Sequence, residues 1–503
     1  MELFDNILLG FSVAFTLDNL LYCALGVTIG MFIGVIPGVG HLAAISMLLP
    51  LTFYVPPTTA LVMLAGIYYG AQYGGSTASI LLNLPGTPAS AVVCLDGYPM
   101  AQNGRGGVAL LMTTLASFVG SFITVFVLAA FAPPLAAFAV SFNSADYFSM
   151  MLLGLVAAAI LVQGSPAKGA AAVIIGLILG MVGTDVNTGV QRYTFGFSFL
   201  YDGINIVAIA MGIFGIAEVI ANVGKIKGAQ NDHKITLRSL IPTAQDLKQS
   251  IMPMLRGTGI GTGIGILPGT GTSIASFLAY AIEKRVSRDP KKFGKGAIEG
   301  ITAPESANNA AAQSAFIPTL TLGIPGDAVM ALMLGALLIH GIAPGPNVIT
   351  DNPGLFWGLV VSFLIGNVLL LILNIPLVGV WVRLLKIPYP LLYPSIILFI
   401  AIGVYSINYS HLDIVLVAFF GLVGCLLLVL GFEPAPLLLG YILGPMIEEN
   451  FRRTLLISRG DMMVFLERPV SATFLALCLF LLIWSIHSSS KERRIRKRIE
   501  SSR

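Results

Sequence analysis

Gly265-Ile266-Leu267-Pro268-Gly269-Thr270-Gly271 lies in the middle of an apolar stretch, Gly257 to Ile282, whose flanks are both basic. Arg256 precedes it, and Lys284, Arg285, Arg288, Lys291, Lys292 and Lys295 follow. Short-loop lysine and arginine mark the cytoplasmic side of a membrane, so both ends of the stretch belong on one side. A single crossing is excluded. The economical arrangement is a re-entrant hairpin, two half-helices that meet at Pro268 to Gly271. Proline removes a helical hydrogen bond and glycine permits turn geometry. Irregular backbone at membrane depth is tolerated only when buried in protein or lining a wet cavity.

Working outward, the same punctuation occurs four times and pairs up. Gly34-Val35-Ile36-Pro37-Gly38-Val39-Gly40 resembles Gly265 to Gly271, 231 residues on, and Leu82-Asn83-Leu84-Pro85-Gly86-Thr87 resembles Leu322-Gly323-Ile324-Pro325-Gly326-Asp327, 240 residues on. The extra residues fit an insertion at the charged turn Glu283 to Lys295, where the first half has only Tyr54 to Thr58. The first pair predicts a second hairpin, Gly30 to Phe53, with its tip at Pro37 to Gly40. The second pair predicts crossings broken midway, Leu61 to Met100 and Gly296 to His340.

The composition agrees with a membrane setting. The 503 residues are 56% hydrophobic and 10% charged, against about 25% charged in soluble domains, and mean hydropathy is +0.89. Runs such as Leu355 to Leu373 and Leu412 to Leu430 reach the roughly 18 apolar residues of a membrane helix. The expected fold is all-α and polytopic, with about 12 crossings plus the two hairpins. No Lys or Arg precedes Arg105, so Arg105 and Lys168 mark the first cytoplasmic loops. The basic central stretch and the tail Lys491 to Arg498 lie on the same side, and both termini are cytoplasmic. With that orientation the halves are inverted: residues 1–222 form the first, 223–256 a cytoplasmic connector, 257–487 the second, and 488–503 a basic tail. Leu437 to Leu466 conflicts with the count, which places it outside despite Glu448, Glu449, Arg452, Arg453 and Arg459.

Inverted repeats with discontinuous helices place substrate and ion sites at the midplane. The breaks hold no Lys or Arg, so positive potential for an anion must come from free N–H groups at half-helix N-termini. The expected substrate-binding residues are Pro37, Gly38, Gly40, Asn83, Pro85, Gly86, Thr87, Pro268, Gly269, Thr270, Gly271, Thr272, Ser273, Pro325 and Gly326. Acidic residues within spans are functional candidates by default. Glu305 and Asp327, with Asn308, Asn309, Thr319 and Thr321 as oxygen donors, are expected to hold a coupling ion, Na⁺ or H⁺. Asp327 also suits an N-cap of the next half-helix. Asp96, nearer the cytoplasmic end, is read as solvated, and His41 as packed or interfacial. Cys23, Cys94, Cys425 and Cys478 stand singly and read as small buried hydrophobes, with no metal spacing. The polar stretch Gly183 to Gly196 reads as a periplasmic turn or a partner's docking surface.

At these residues the chain resembles the large membrane subunit of the tripartite tricarboxylate transporters, the TctA type. The carriers are Gly34 to Gly40, Gly66-Ile67-Tyr68-Tyr69-Gly70-Ala71-Gln72-Tyr73-Gly74-Gly75-Ser76 leading to Leu84-Pro85-Gly86-Thr87-Pro88, Leu267 to Gly271, and Glu305-Ser306-Ala307-Asn308-Asn309 to Gly326-Asp327. The resemblance covers nearly the whole chain. It implies a multi-pass protein of the bacterial inner membrane that imports tricarboxylate- or dicarboxylate-class substrates by an ion gradient. It implies two partners, a small four-helix membrane subunit and a periplasmic solute-binding protein. No cofactor, nucleic acid or enzymatic activity is expected. Alternating access of the elevator type follows by analogy with other inverted-repeat carriers. The rivals are a binding-protein-independent carboxylate/ion antiporter or channel, and an intramembrane enzyme, which needs a nucleophile or paired acids at depth.

Overall fold

The computed structural model describes residues 2–36, 40–162, 165–185, 188–222, 237–267, 269, 271–385 and 389–500. Pro37, Gly38, Pro268 and Thr270 of the expected site lie outside the described residues, as do 223–236 of the connector and 501–503 of the tail. The described chain is almost entirely helical. Among the described residues five stretches are long and apolar enough to cross a membrane by length and composition: Leu17–Val35, Pro88–Ala139, Pro353–Asn374, His411–Val429 and Pro469–His487. Shorter apolar helices such as Ser144–Ile160 and Ala328–Ile339 accompany them. The chain is a helical membrane protein.

It divides into two compact units, residues 1–139 with 205–426, and residues 140–204 with 427–503. Each unit draws on both sequence halves. In the larger unit the helices used below are α1 (Glu2–Ala14), α2 (Leu17–Val35), α3 (His41–Leu48), α4 (Pro57–Leu82), α5 (Cys94–Met100), α6 (Gly106–Ala139), α7 (Ala217–Asn222), α8 (Ala244–Gly265), α9 (Gly271–Val286), α10 (Glu299–Ser314), α11 (Phe316–Leu322), α12 (Ala328–Ile339), α13 (Pro353–Asn374), α14 (Tyr389–Asn408) and α15 (His411–Val429). Pro57 at the first turn of α4 gives up no helical hydrogen bond.

Two helix pairs pack backbone against backbone. Gly26, Gly30 and Gly34 of α2 leave no room for a Cβ against the carbonyls of Met63, Ile67 and Ala71 in α4. Gly257, Gly261 and Gly265 of α8 do the same against Ala303, Ala307 and Ala311 in α10. Small residues at four-residue spacing are how membrane helices achieve such contact. The second set repeats the first, 231 residues on for the glycines and 240 for the carbonyls. These are the two spacings found in the sequence motifs.

Burial runs opposite to polarity. Every residue of α10 is buried, including Glu299, Glu305, Asn308, Asn309 and Gln313. Phe122 and Phe126 of α6, Phe419 and Leu422 of α15 and many other large apolar side chains are exposed. A chain that places its polar helix at the centre and its phenylalanines outside is arranged for a hydrocarbon surrounding.

α8 and α9, the legs expected of the second hairpin, are joined at one end by Arg256, which donates to both oxygens of Glu283 at 2.9 and 2.6 Å. Both first legs are longer than half-helices. α8 begins at Ala244, where Thr243 and Asp246 form a capping box. α2 begins at Leu17, because Leu17 to Ile29 holds nothing that breaks a helix.

In the smaller unit, Pro166–Gly180 and Ala435–Ile457 cross with reciprocal contacts. Gly176 lies on the Leu437 carbonyl and Gly440 on that of Val173; Gly180 meets Tyr441 and Gly444 meets Leu177. Ala435–Ile457 is unbroken, and its charges are paired. Arg452 donates to Asp185 at 2.9 Å and contacts Glu448 at 2.6 Å, and Arg192 donates to Glu448 at 2.7 Å. The charges of the conflicting stretch therefore sit at the same end as the loop around Asp185.

Candidate functional site

The four breaks match in backbone conformation as well as in sequence. α4 ends at Asn83 and α11 at Gly323, both left-handed, with φ 57° and 70°. α3 and α9 are preceded or begun by Gly40 and Gly271, with φ 63° and 61°. Glycine tolerates that region without steric cost, whereas Asn83 occupies it with a side chain, exposed at the break. After each second break an equivalent residue caps the following turn. Thr87 Oγ1 accepts from Ser90 N at 3.3 Å, and Asp327 Oδ1 accepts from Met330 N at 2.9 Å. The N-cap role anticipated for Asp327 is therefore present.

The breaks within each half touch. Gly269 N donates to Gly326 O at 2.8 Å, joining the second hairpin tip to the second broken span. Gly86 N donates to Gly75 O at 3.4 Å. A Cβ on Gly86 would strike the Gly34 carbonyl and lie 2.6 Å from Gly75 Cα. Its counterpart Gly326 faces Ala315 and the Gly265 carbonyl. These are the equivalent partners, each shifted by the motif spacing.

The halves are joined by α4. Tyr68 donates to Asp327 Oδ2 at 2.8 Å, and its ring lies 5.6 Å from that of His41 at the start of α3. One turn on, Gln72 Oε1 accepts from Thr87 Oγ1 at 3.4 Å. Thus Tyr68 and Gln72, spaced i and i+4 on one face, link the two equivalent N-caps. Gly271 is adjacent too: a Cβ there would be 4.0 Å from Asp327 Cβ. Among the described residues no Lys or Arg bonds to any of these groups.

Glu305 lies deeper, 1% exposed. Its carboxylate accepts from Ser76 of α4, from Ser117 of α6 at 2.9 Å and from Asn309 at 3.1 Å. These donors are all neutral. Elsewhere on the same three helices, both amide atoms of Asn308 and Gln313, the Tyr69 hydroxyl, Gln72 Nε2 and the Ser121 hydroxyl are buried without a hydrogen-bond partner among the described residues. Such groups are ordinarily satisfied by water or a ligand.

The other expected residues fall out unevenly. Thr319 and Thr321 donate back to Ala315 O and Ile317 O of their own helix, both at 2.7 Å. Thr272 and Pro325 are buried, Ser273 is half-buried, and Pro85 is exposed. Asp96 is a correction, being 0% exposed rather than solvated. Its Oδ1 accepts from the backbone of Gly294, Lys295, Gly296 and Ala297 at 2.8 to 3.1 Å, and its Oδ2 from Tyr280 at 3.0 Å. The end of the charged turn after α9, residues 294–297, turns its amides inward and makes a nest for that carboxylate. Tyr68, Gln72, Ser76, Ser117, Gln313 and Glu218 are not among the site residues expected from the sequence, although the first three stand in a motif that carries the resemblance. Tyr68, Gln72 and Ser76 follow a helical period of polar residues in a buried span, and Glu218 is an acid in an apolar one.

Comparison with known proteins bears on this arrangement. An uncharacterised 52.8 kDa protein in the TAR-I ttuC' 3' region of Agrobacterium vitis is 48% identical over 497 residues, 98% of this chain and 98% of its own. An uncharacterised protein in the TAR-II ttuC' 3' region of the same organism is 52% identical over 234 residues, 46% of this chain and 97% of its own. No solved structure matches. The model of the tripartite tricarboxylate transporter TctA family matches residues 20–439. With most of its length and all four breaks inside that match, the chain belongs to the tripartite tricarboxylate transporter TctA family.

Proposed function

We propose that this membrane transporter subunit imports a small carboxylate of the tricarboxylate or dicarboxylate class, driven by an ion gradient and fed by a periplasmic solute-binding protein. A small four-helix membrane subunit completes the assembly. The observation that carries the reading is the convergence of Thr87, Gln72, Tyr68 and Asp327 where broken helices begin, with no fixed cation bonded there. Free N–H groups at such ends favour an anion, and neutral donors let it leave again. The first half has a neutral cap at Thr87 and suits the substrate carboxylate. The second half, with Asp327 and the Glu305 pocket of neutral oxygens, suits a coupling cation. Transport by an elevator movement would carry the hairpins and broken helices past a scaffold. In this reading the protein sits in the inner membrane with both termini in the cytoplasm.

Reconstituted vesicles test this directly. Labelled carboxylate should accumulate only with the binding protein present and an imposed Na⁺ or proton gradient. Equal flux without the binding protein and without either gradient would favour the channel reading and sink this one.

A further inference from the structure

Glu218 is the one charged side chain in the helical run from Ile206 to Asn222. Its carboxylate lies directly over Gly40, the left-handed residue that closes the first break. A Cβ on that glycine would be 2.6 Å from Oε2 and closer still to Oε1. Among the described residues no hydrogen bond or ion pair reaches this carboxylate, and it does not cap α3. Asp327 differs, since both its oxygens are engaged.

Among the described residues the neighbours supply no compensating charge. α3 contributes His41, whose Nδ1 is buried without a partner. Behind it on α4 stands Tyr68, already committed to Asp327. α14 contributes Tyr393, which donates to the Asn222 carbonyl at 3.0 Å. α15 contributes Cys425, its thiol 3.9 Å from the Ala217 carbonyl. The remaining ionisable groups of α15, His411 and Asp413, lie at its other end, where Asn408 donates to Asp413 at 2.9 Å. None of these elements carries Lys or Arg.

Among the described residues a carboxylate without a partner thus stands at the start of α3, the end that would attract a substrate carboxylate. Two anions so placed disfavour each other's charged form. A proton removes the conflict at no cost in space. We propose that Glu218 is a further coupling carboxylate, beside the cation site of Asp327 and Glu305: it takes one proton from the outer aqueous phase when an anionic substrate settles beside Gly40, and releases it to the cytoplasm as the substrate leaves. The Glu218 carboxyl O–H bond forms as a hydronium O–H bond breaks, and the reverse occurs on release. This inference rests on the carboxylate-transport reading above and adds a proton at the first half to the cation of the second.

The test uses wild type, Glu218→Gln and Glu218→Asp, each reconstituted with the binding protein. One proton per substrate makes each unit of imposed pH difference worth about tenfold accumulation. Glu218→Gln, a neutral stand-in for the protonated acid, should lose that accumulation and keep exchange of labelled for unlabelled substrate. Glu218→Asp should keep coupled uptake with a displaced pH profile. Gradient-driven accumulation by Glu218→Gln at the wild-type level overturns the proposal, and so does loss of both accumulation and exchange from a correctly folded variant. Wild-type uptake driven by Na⁺ but indifferent to pH overturns it as well. A wild type that moves no carboxylate at all refutes the transport reading instead, so the two failures are distinguishable.

Discussion

Thr87 and Asp327 occupy the same place in the two halves, cap the same position three residues on, and meet the same face of α4. One is neutral and the other an acid. The surroundings differ in the same sense: the first half sets Ala65 where the second sets Glu305. The two sets of breaks match in backbone conformation and differ in charge. In the proposed mechanism that difference separates anion from cation on a frame that would otherwise treat them alike.

The comparison can be broken most severely at the glycines. Gly86→Ala drives a Cβ into backbone, while Gly326→Ala meets Ala315 Cβ at 3.2 Å and the Gly265 carbonyl at 3.4 Å. Overpacking of a tight site costs about 1–3 kcal/mol, so Gly86→Ala should reduce uptake by about 100-fold. Gly326→Ala should stay within about tenfold of wild type. Equal losses, measured as initial uptake rates, would show that the two breaks are not packed differently.

Next comes the charge itself. Asn caps a helix about as well as Asp, so Asp327→Asn should insert and fold normally. Removing the charged partner of Tyr68 costs about 1.5–3 kcal/mol of interaction, and coupled uptake should fall by at least about tenfold. Undiminished uptake would make Asp327 a cap and nothing more. Tyr68→Phe leaves that carboxylate without its donor and should cost about tenfold, read as a change in substrate affinity by titration.

The smallest effect concerns the ion pair of Arg105 and Asp246. Burial raises the Asp246 carboxyl, but Arg105, 2.6 Å away, and Thr243 outweigh it and hold it below its ordinary range. The stabilisation is therefore complete above about pH 4 and is lost as pH falls through the lowered folded value. Asp246→Asn should lower stability at neutral pH by about 0.5–1 kcal/mol, with the difference from wild type vanishing in acid. A difference that grows in acid would contradict the assigned direction.

The breaks and their pairing were legible because glycine and proline act locally, and a motif such as Pro325-Gly326-Asp327 marks its own interruption. The partners were not, because they depend on which helices cross. Nothing near Thr319 or Thr321 says that their hydroxyls turn back onto α11. Nothing near Asp96 announces that amides some 200 residues later close around it. The smaller unit was invisible for the same reason, since residues 140–204 and 427–503 share no motif and come together only through packing.

The glycine ladder also fixes where the chain tolerates a change of length. Each of Gly257, Gly261 and Gly265 must meet its own carbonyl, so one residue added between Gly257 and Gly265 would put a side chain where a hydrogen belongs. The two halves already differ by nine residues between ladder and carbonyls, with the register intact. Ser287 to Pro290, largely exposed between α9 and the amides that Asp96 holds, is accordingly the place to insert an epitope or a protease site and still recover a folded transporter.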